Sequence, residues 1–250
     1  MSGQSNAGVD PYAGYVDWKR WDGAFQTSEK EARYLAAEFD DIPLRARRVL
    51  EIGFGNGGFL AWAKAQGADV VGIEINTEMR DAARSRGFVA LDASLAELAA
   101  ASSTYDVIVA LDVIEHWDTA ELMENFRHIH DLLAPGGIFI ARFPNGQSPF
   151  GRAFQHGDFT HKSTLTTYKI EYLAALNDLE IVRISNPCRV PSRPGVLGSL
   201  RQWWLARRRR GIERSIARLY GMRRLPLDPN LVAVLRKPAQ TNQSQDSKTS

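Results

Sequence analysis

Three acids stand where predicted strands run out into loops. Glu51 interrupts the apolar run "VLEIG", Glu74 ends "VVGIEI", and Asp92 follows the short strand in "VALDAS". Between Glu51 and Glu74 the chain turns through glycines, of which Gly53, Gly55 and Gly58 fit the spacing G-x-G-x-x-G. Such a turn brings backbone close to a ligand and aims helix-start N–H groups at negative charge. Several cofactors use that spacing, so the flanking acids discriminate among them. Glu51, two residues before Gly53, would repel a pyrophosphate and suits a cationic amino group or a sulfonium. Glu74 is placed to accept from both ribose hydroxyls, and Asp92 to accept from an adenine amino group. Each acid alone also reads as a solvated loop residue. Three at successive strand ends point to a ligand edge, because open α/β sheets bind there.

A second group carries potential acid–base chemistry. His116 in "DVIEHW" follows the fourth predicted strand, and His161 in "FQHGDFTHKSTLTTYKIEYL" follows the fifth. Asp158, three residues before His161, is expected to orient its imidazole and raise its basicity. The alternative for His161 is a helix cap or a loop-carbonyl bond. His156 is a weaker candidate, and His128 and His130 read as boundary residues of a helix. Asp112, Glu115, His116, Asp158 and His161 together could ligate a divalent ion, but no spacing is diagnostic and no metal is expected.

These residues need a scaffold, and the patterning supplies one. "TSEKEARYLAAEFDD" opens with the capping pattern Ser28–Glu31 and continues at helical spacing. From Arg48, strands ("RVLEIG", "DVVGIEI", "FVAL", "YDVIVAL", "IFIARF") alternate with helices. Thr77 is expected to cap the third helix, Thr164 or Thr166 a later one, and Pro135-Gly136-Gly137 to stop the helix before "IFIARF". "EIVRIS" and "LVAVLRK" complete seven strands. Alternation implies an α/β fold whose parallel sheet has helices on both faces. The expected organisation is an N-terminal segment (1–27), a main domain (28–237) with a basic insertion at 186–230, and a polar tail (238–250).

"LEIGFGNGGF", "VVGIEIN", "ALDAS", "YDVIVALDVIEHW" and "LLAPGGIFIARFP" occur in this order. As an ordered set they resemble the motifs of class I S-adenosylmethionine-dependent methyltransferases. The resemblance covers about 49–144, and it implies a Rossmann-like seven-stranded sheet, six strands parallel and the last antiparallel. It implies S-adenosyl-L-methionine as cofactor, lined by Glu51, Gly53, Gly55, Asn56, Gly57, Glu74, Ile75, Asp92, Ala93 and Asp112. Gly53, Gly55 and Gly57 would cradle the methionine part, with Asp112 beside the transferred methyl. The chain departs from the pattern at Phe54 and Asn56, where smaller or differently polar residues are also common. Thr160-His161 before a helix start resembles a segment of bacterial methyltransferases of sugar and surface-polysaccharide pathways. That resemblance implies O-methylation of a sugar of O-antigen or lipopolysaccharide type, or of its lipid-linked precursor, with His161, Asp158 and His116 as catalytic candidates. The alternatives are a small metabolite such as a quinone precursor, RNA, or a non-catalytic adenosyl-cofactor-binding protein.

Composition narrows the partners. The chain has 250 residues, 44% hydrophobic and 24% charged, ordinary for a globular protein. The single cysteine, Cys188, leaves no internal disulfide and fits a reducing compartment. The start "MSGQSNAGVD" lacks a basic-then-apolar signal, so a cytoplasmic location is expected. From Arg201 to Arg224 there are nine arginines and one acid, Glu213. This segment therefore carries +8 and the rest of the chain −6, for a net +2. Apolar residues at three- and four-residue steps predict two short amphipathic helices broken at Gly211, with Trp203 and Trp204 before Arg207–Arg210. The segment 200–224 is expected to make a peripheral contact with anionic membrane at the inner face of the cytoplasmic membrane. Nucleic acid is the less favoured partner, and a lid or dimer contact the bland alternative. "WKRWDGAFQ", with Trp18 and Trp21, is expected to fold over the cofactor or to pack on the body.

Overall fold

The structure is a computed structural model, and it describes residues 24–191 and 195–239. Chain order is α1 (Glu29–Glu38), β1 (Arg48–Ile52), α2 (Gly58–Ala65), β2 (Asp69–Ile73), α3 (Thr77–Ser85), β3 (Val89–Leu91) and α4 (Leu95–Ala100). β4 (Tyr105–Leu111) then leads through a 3₁₀ turn (Ile114–His116) to α5 (Thr119–Leu132) and β5 (Leu133–Pro144). The rest is α6 (Arg152–His156), α7 (Thr167–Leu176), β6 (Glu180–Ser185), α8 (Val196–Leu219) and β7 (Asn230–Arg236).

The sheet has seven strands in the order β3-β2-β1-β4-β5-β7-β6. β7 alone runs antiparallel, pairing Pro144 with Asn230 on one side and Ser185 with Val232 on the other. β1 pairs with β2 and β4, the two strands from which the chain winds outward in opposite directions. The carboxyl ends of β1 and β4 therefore flank the switch point, where such sheets open a crevice for ligands.

Side chains alternate between two apolar layers, as the period of a strand requires. Leu50, Ile52, Ile108 and Phe139 join Phe126, Ile129 and Leu173 on one face. Val49, Val107, Val109 and Ile140 join Leu35, Phe59, Leu60 and Trp62 on the other. Each fully buried side chain of this size contributes about 1.5–3 kcal/mol, enough in sum to hold strand ends rigid under the site. An ion pair on a buried carboxylate ties α1 across the far edge: Glu38 Oε1 accepts from the half-buried Arg183 Nη1 at 2.8 Å, and Glu38 Oε2 from the Cys188 N–H at 2.6 Å.

Four local expectations need correction. α8 is one unbroken helix of 24 residues, not two halves broken at Gly211. An interior glycine costs only about 1 kcal/mol relative to alanine, and the flanking arginines and Glu213 are good helix formers. The segment Pro135-Gly136-Gly137 lies inside β5; α5 already ends at Leu132, and Leu133 pairs with Tyr105 before a register shift. The cap of α3 is Asn76, whose Oδ1 accepts from Met79 N at 3.0 Å, and Thr77 is the first helical residue. The short helix α6 occupies a stretch that the apolar patterning leaves as loop. Ser28 and Thr166 cap α1 and α7 as the sequence suggests. Trp18 and Trp21 lie outside the described residues. Among the described residues no helix is long and apolar enough to cross a membrane.

Candidate functional site

The glycine turn after β1 is built from left-handed backbone. Gly53, Gly55 and Gly57 have φ of 64°, 49° and 72°. At Gly57 a side chain is excluded twice, because a Cβ there would also lie 2.3 Å from the Phe25 ring. Phe25 N donates to Asn56 O at 2.6 Å, and its ring stacks on Phe88 at 5.4 Å. The approach to α1 thus packs onto the turn. Asn56 Oδ1 accepts from Gly58 N at 3.1 Å, which closes the turn at the start of α2.

Glu74 is fixed by two backbone donors. Gly55 N donates to its Oε2 at 2.9 Å and Asn76 N to its Oε1 at 3.0 Å. The carboxylate is oriented, and its remaining lone pairs can still take a vicinal diol. Glu51 sits beneath, 3% exposed. Burial first, and then the charge of Glu74, push its carboxyl well above its usual range. Its Oε2 is buried and has no hydrogen-bond partner among the described residues. A buried acceptor without a donor is costly, and a bound cationic amino group or sulfonium relieves that cost. The donor set, the open turn and the orphaned oxygen fit S-adenosylmethionine.

The other cofactor candidates line the same edge with partners that local sequence does not reveal. Asp92 Oδ2 is paired with Arg80 Nη2 at 2.9 Å. Arg80, itself buried, also donates to the carbonyls of Glu74 and Ile75 at 2.7 and 2.8 Å. It joins the ends of β2 and β3, so Asp92 reaches the edge as half of an ion pair. Ile75 is exposed beside it, and Ala93 packs partly on the core. Asp112 has φ 59° and forms a two-pronged pair with Arg142 Nε and Nη2. Arg142 lies 5.5 Å from the Tyr34 ring centroid, and burial pushes the Tyr34 hydroxyl up to about 12.

The turn after β4 connects this cradle to the histidines. A Cβ on Gly53 would lie 2.7 Å from Val113 Cγ2, so Val113 rests on the glycine turn just before Ile114–His116. The loop after β5 is clamped to the same turn: Lys162 N and Ser163 N both donate to Glu115 O, at 2.9 and 3.0 Å. His116 and His161 consequently meet edge to face, with ring centroids 4.8 Å apart. His116 Nδ1 lies 3.2 Å from Thr160 O, and His161 Nδ1 3.2 Å from Gln155 O. A carbonyl oxygen only accepts, so Nδ1 is the donor in each of these bonds, and in a neutral His161 ring the lone pair lies on Nε2. His161 Nε2 lies 3.9 Å from both Glu115 Oε1 and Asp158 Oδ2.

This geometry revises one role. The Gln155 carbonyl orients His161, whereas Asp158 Oδ1 accepts from the Thr160 N–H at 3.0 Å and shapes the loop. At 3.9 Å the Asp158 carboxylate acts on His161 through its charge rather than through a hydrogen bond. Glu115 is 1% exposed and lies against His161, a closeness that its place before His116 in sequence does not announce. Glu115, His116 and His161 each offer a ligand atom, all within 4.8 Å of one another. Two imidazoles and a carboxylate could hold a divalent ion as well as move a proton.

The geometry can be set beside known proteins. The pattern of a methyltransferase domain matches residues 26–213. A ubiquinone biosynthesis O-methyltransferase of Mesorhizobium japonicum is 38% identical over 120 residues, 43% of this chain and 47% of that protein. The protein so named from Rhizobium etli is 28% identical over 177 residues, 66% of this chain and 70% of that protein. The chain spans about half the length of the first of these curated relatives. A methyltransferase from Archaeoglobus fulgidus, described as dependent on S-adenosylmethionine, superposes with a TM-score of 0.61 at 18% identity, covering 91% of this chain and all of that one. A magnesium protoporphyrin IX methyltransferase from Synechocystis, solved with the cofactor bound, gives 0.56 at 16%, covering 93% and 100%. With the sheet order, the glycine turn and the acid ladder, the match over most of its length shows that this chain belongs to the class I S-adenosylmethionine-dependent methyltransferases.

Proposed function

We propose that the protein is an O-methyltransferase acting on a hydroxyl of a bacterial surface glycan or its lipid-linked precursor. The observation that carries this reading is the His116–His161 pair, with Nδ1 of each ring held by a carbonyl oxygen. It stands on the same sheet edge as Glu51 and Glu74. Bound S-adenosylmethionine supplies an electrophilic methyl on sulfur. Glu51 would hold the positive part of that cofactor and Glu74 its ribose. His161 Nε2 would take the proton of the acceptor hydroxyl as its oxygen forms the bond to the methyl carbon and the S–CH3 bond breaks, with S-adenosylhomocysteine as the leaving group, and the nearby carboxylates of Glu115 and Asp158 would stabilise the resulting imidazolium. A poorly acidic sugar hydroxyl needs such a base, whose contribution is about 10²–10⁴-fold.

Two surface features support a lipid-linked acceptor. Phe150, Phe154 and Phe159, on the segment that carries His161, are exposed. Leu197, Leu200, Trp203 and Trp204 are exposed on α8, with Arg208 4.6 Å from the Trp204 ring centroid. Aromatic rings among arginines suit an anionic membrane surface. A second reading, methylation of a phenolic quinone precursor, is favoured by the names of the curated relatives. Mass spectrometry of glycan and phenol acceptors incubated with enzyme and isotopically labelled cofactor separates the two. Label on sugar oxygen is expected; label only on the phenol would move the assignment to the second reading.

A further inference from the structure

A cavity of about 840 Å³ lies between α8, the end of β6 and the loop before β7, and its lining includes none of the acids of the glycine-turn edge and neither histidine of the pair. Its size suits a small-molecule ligand, for which sites of about 300–1,000 Å³ are usual. Six of its lining residues are arginines and two are acids, Glu213 and Asp228, an excess of four positive charges. Both acids are already engaged. Glu213 Oε1 accepts from Asn186 Nδ2 at 2.7 Å and from Leu227 N at 2.9 Å, which moors α8 to the body. Asp228 is paired with Arg189, with Nη2 at 2.7 Å from Oδ1. Arg209 Nη1 is buried and has no hydrogen-bond partner among the described residues. A desolvated guanidinium N–H without an acceptor is costly unless an anion enters, and arginine forks match phosphate oxygens.

The cavity is also on the active edge of the sheet. Ser185 ends β6, which is antiparallel to β7 as β5 is, so it lies at the same edge as Pro144. Asn145, the residue after β5, donates through Nδ2 to Pro226 O and Asp228 O, both at 2.9 Å. The loop that leads to His161 and the wall of the cavity thus share one anchor.

We infer that this arginine-lined cavity binds the diphosphate of the acceptor and so presents its sugar hydroxyl toward the histidine pair. The role as acceptor site rests on the glycan reading above; the affinity for diphosphate does not. Inorganic pyrophosphate is the probe, titrated calorimetrically into the full chain at physiological salt, with S-adenosylhomocysteine titrated separately. Saturable pyrophosphate binding is expected. Arg209→Gln/Arg214→Gln should weaken it at least about tenfold, and Arg223→Gln/Arg224→Gln, at exposed positions with little risk to folding, should weaken it by a smaller factor. Arg207→Gln/Arg208→Gln, which alters the arginines stacked on Trp203 and Trp204, should leave it unchanged. Equal weakening by all three pairs, or no binding by the wild type, overturns the proposal. If S-adenosylhomocysteine still binds in that case, the methyltransferase reading stands without the cavity; if pyrophosphate binds and S-adenosylhomocysteine does not, the cavity stands without that reading. Competition by a nucleoside diphosphate sugar identifies a soluble source, and co-sedimentation with vesicles containing a polyprenyl diphosphate, above matched vesicles without it, identifies a lipid one. Failure of both would limit the cavity to inorganic anions and overturn its assignment to the acceptor.

Discussion

His116 and His161 lie edge to face at 4.8 Å because the carbonyl of Glu115, the residue before one, accepts from the N–H groups of Lys162 and Ser163, just after the other. Two backbone hydrogen bonds between loops after β4 and β5 therefore create a pair that neither loop holds alone. His161 Nε2 lies 3.9 Å from the carboxylates of Glu115 and Asp158, an arrangement suited to taking a proton from a hydroxyl.

Removing the base should separate turnover from binding. His161→Ala should lower kcat by about 10²–10⁴-fold while the affinity for S-adenosylhomocysteine stays close to wild type. Single-turnover assays and calorimetry on one preparation read both quantities. If His161→Ala retains activity and His116→Ala loses it, the base is His116. Full activity in the double variant removes histidine base catalysis.

Glu115, His116 and His161 are also close enough to share one ion, and the two chemistries part on chelation. Proton transfer by His161 alone expects unchanged turnover after dialysis against EDTA. Loss of turnover restored by one divalent ion, together with one equivalent of metal in the as-purified protein, would assign the cluster to metal binding.

Glu51 links cofactor binding to stability. Its carboxyl is raised in the folded chain by burial and by Glu74, against an ordinary value of 4.5. A folded-state rise in an acid means that folding holds the proton. Stability is therefore fully present below the ordinary value and falls as pH rises from there through the raised folded value. In the protein without ligand, Glu51→Gln should raise the melting temperature near neutral pH and flatten its pH dependence. The same change should weaken S-adenosylhomocysteine binding, since the ligand's amino group loses its carboxylate. A variant with lower melting temperature at neutral pH and unchanged affinity would show that Glu51 is structural.

Gly57 tests the turn itself. With φ at 72° and the Phe25 ring 2.3 Å from where a Cβ would stand, Gly57→Ala should cost at least about 1–2 kcal/mol from the left-handed backbone alone. Urea unfolding should show a lower midpoint with an unchanged slope. A midpoint equal to wild type would mean that the turn relaxes at no cost.

What is legible in the sequence and what is not follow from range. Glu51, the glycines and Glu74 fall within one strand–turn–helix–strand unit, so patterning alone puts them at one edge. Seven strands and the helices that alternate with them up to β5 are legible for the same reason, because period-2 and period-3.6 apolar patterns are local, whereas α6 is missed and α8 is read as two halves. The ion pairs Arg80–Asp92 and Arg142–Asp112 cross between elements, and no local pattern marks them. The same holds for Glu115 against His161. Gly211 misleads because a glycine in a helical pattern signals weakness without requiring a break, whereas the Pro135-Gly136-Gly137 run is outweighed by pairing of Leu133 with Tyr105. The arginines are visible in sequence, but the cavity they line exists only once α8 lies against the β6 and β7 ends.

The most direct measurement is a calorimetric titration with S-adenosylhomocysteine and, separately, with NAD. The acid ladder expects S-adenosylhomocysteine to bind in the micromolar range, about −8 kcal/mol, with no competition from NAD. Glu74→Ala should weaken it by at least about tenfold, since hydrogen bonds to a charged group contribute about 1.5–3 kcal/mol each. Binding of NAD with none of S-adenosylhomocysteine would contradict the account, because it would mean that Glu51 does not repel a pyrophosphate and that the glycine turn serves a dinucleotide.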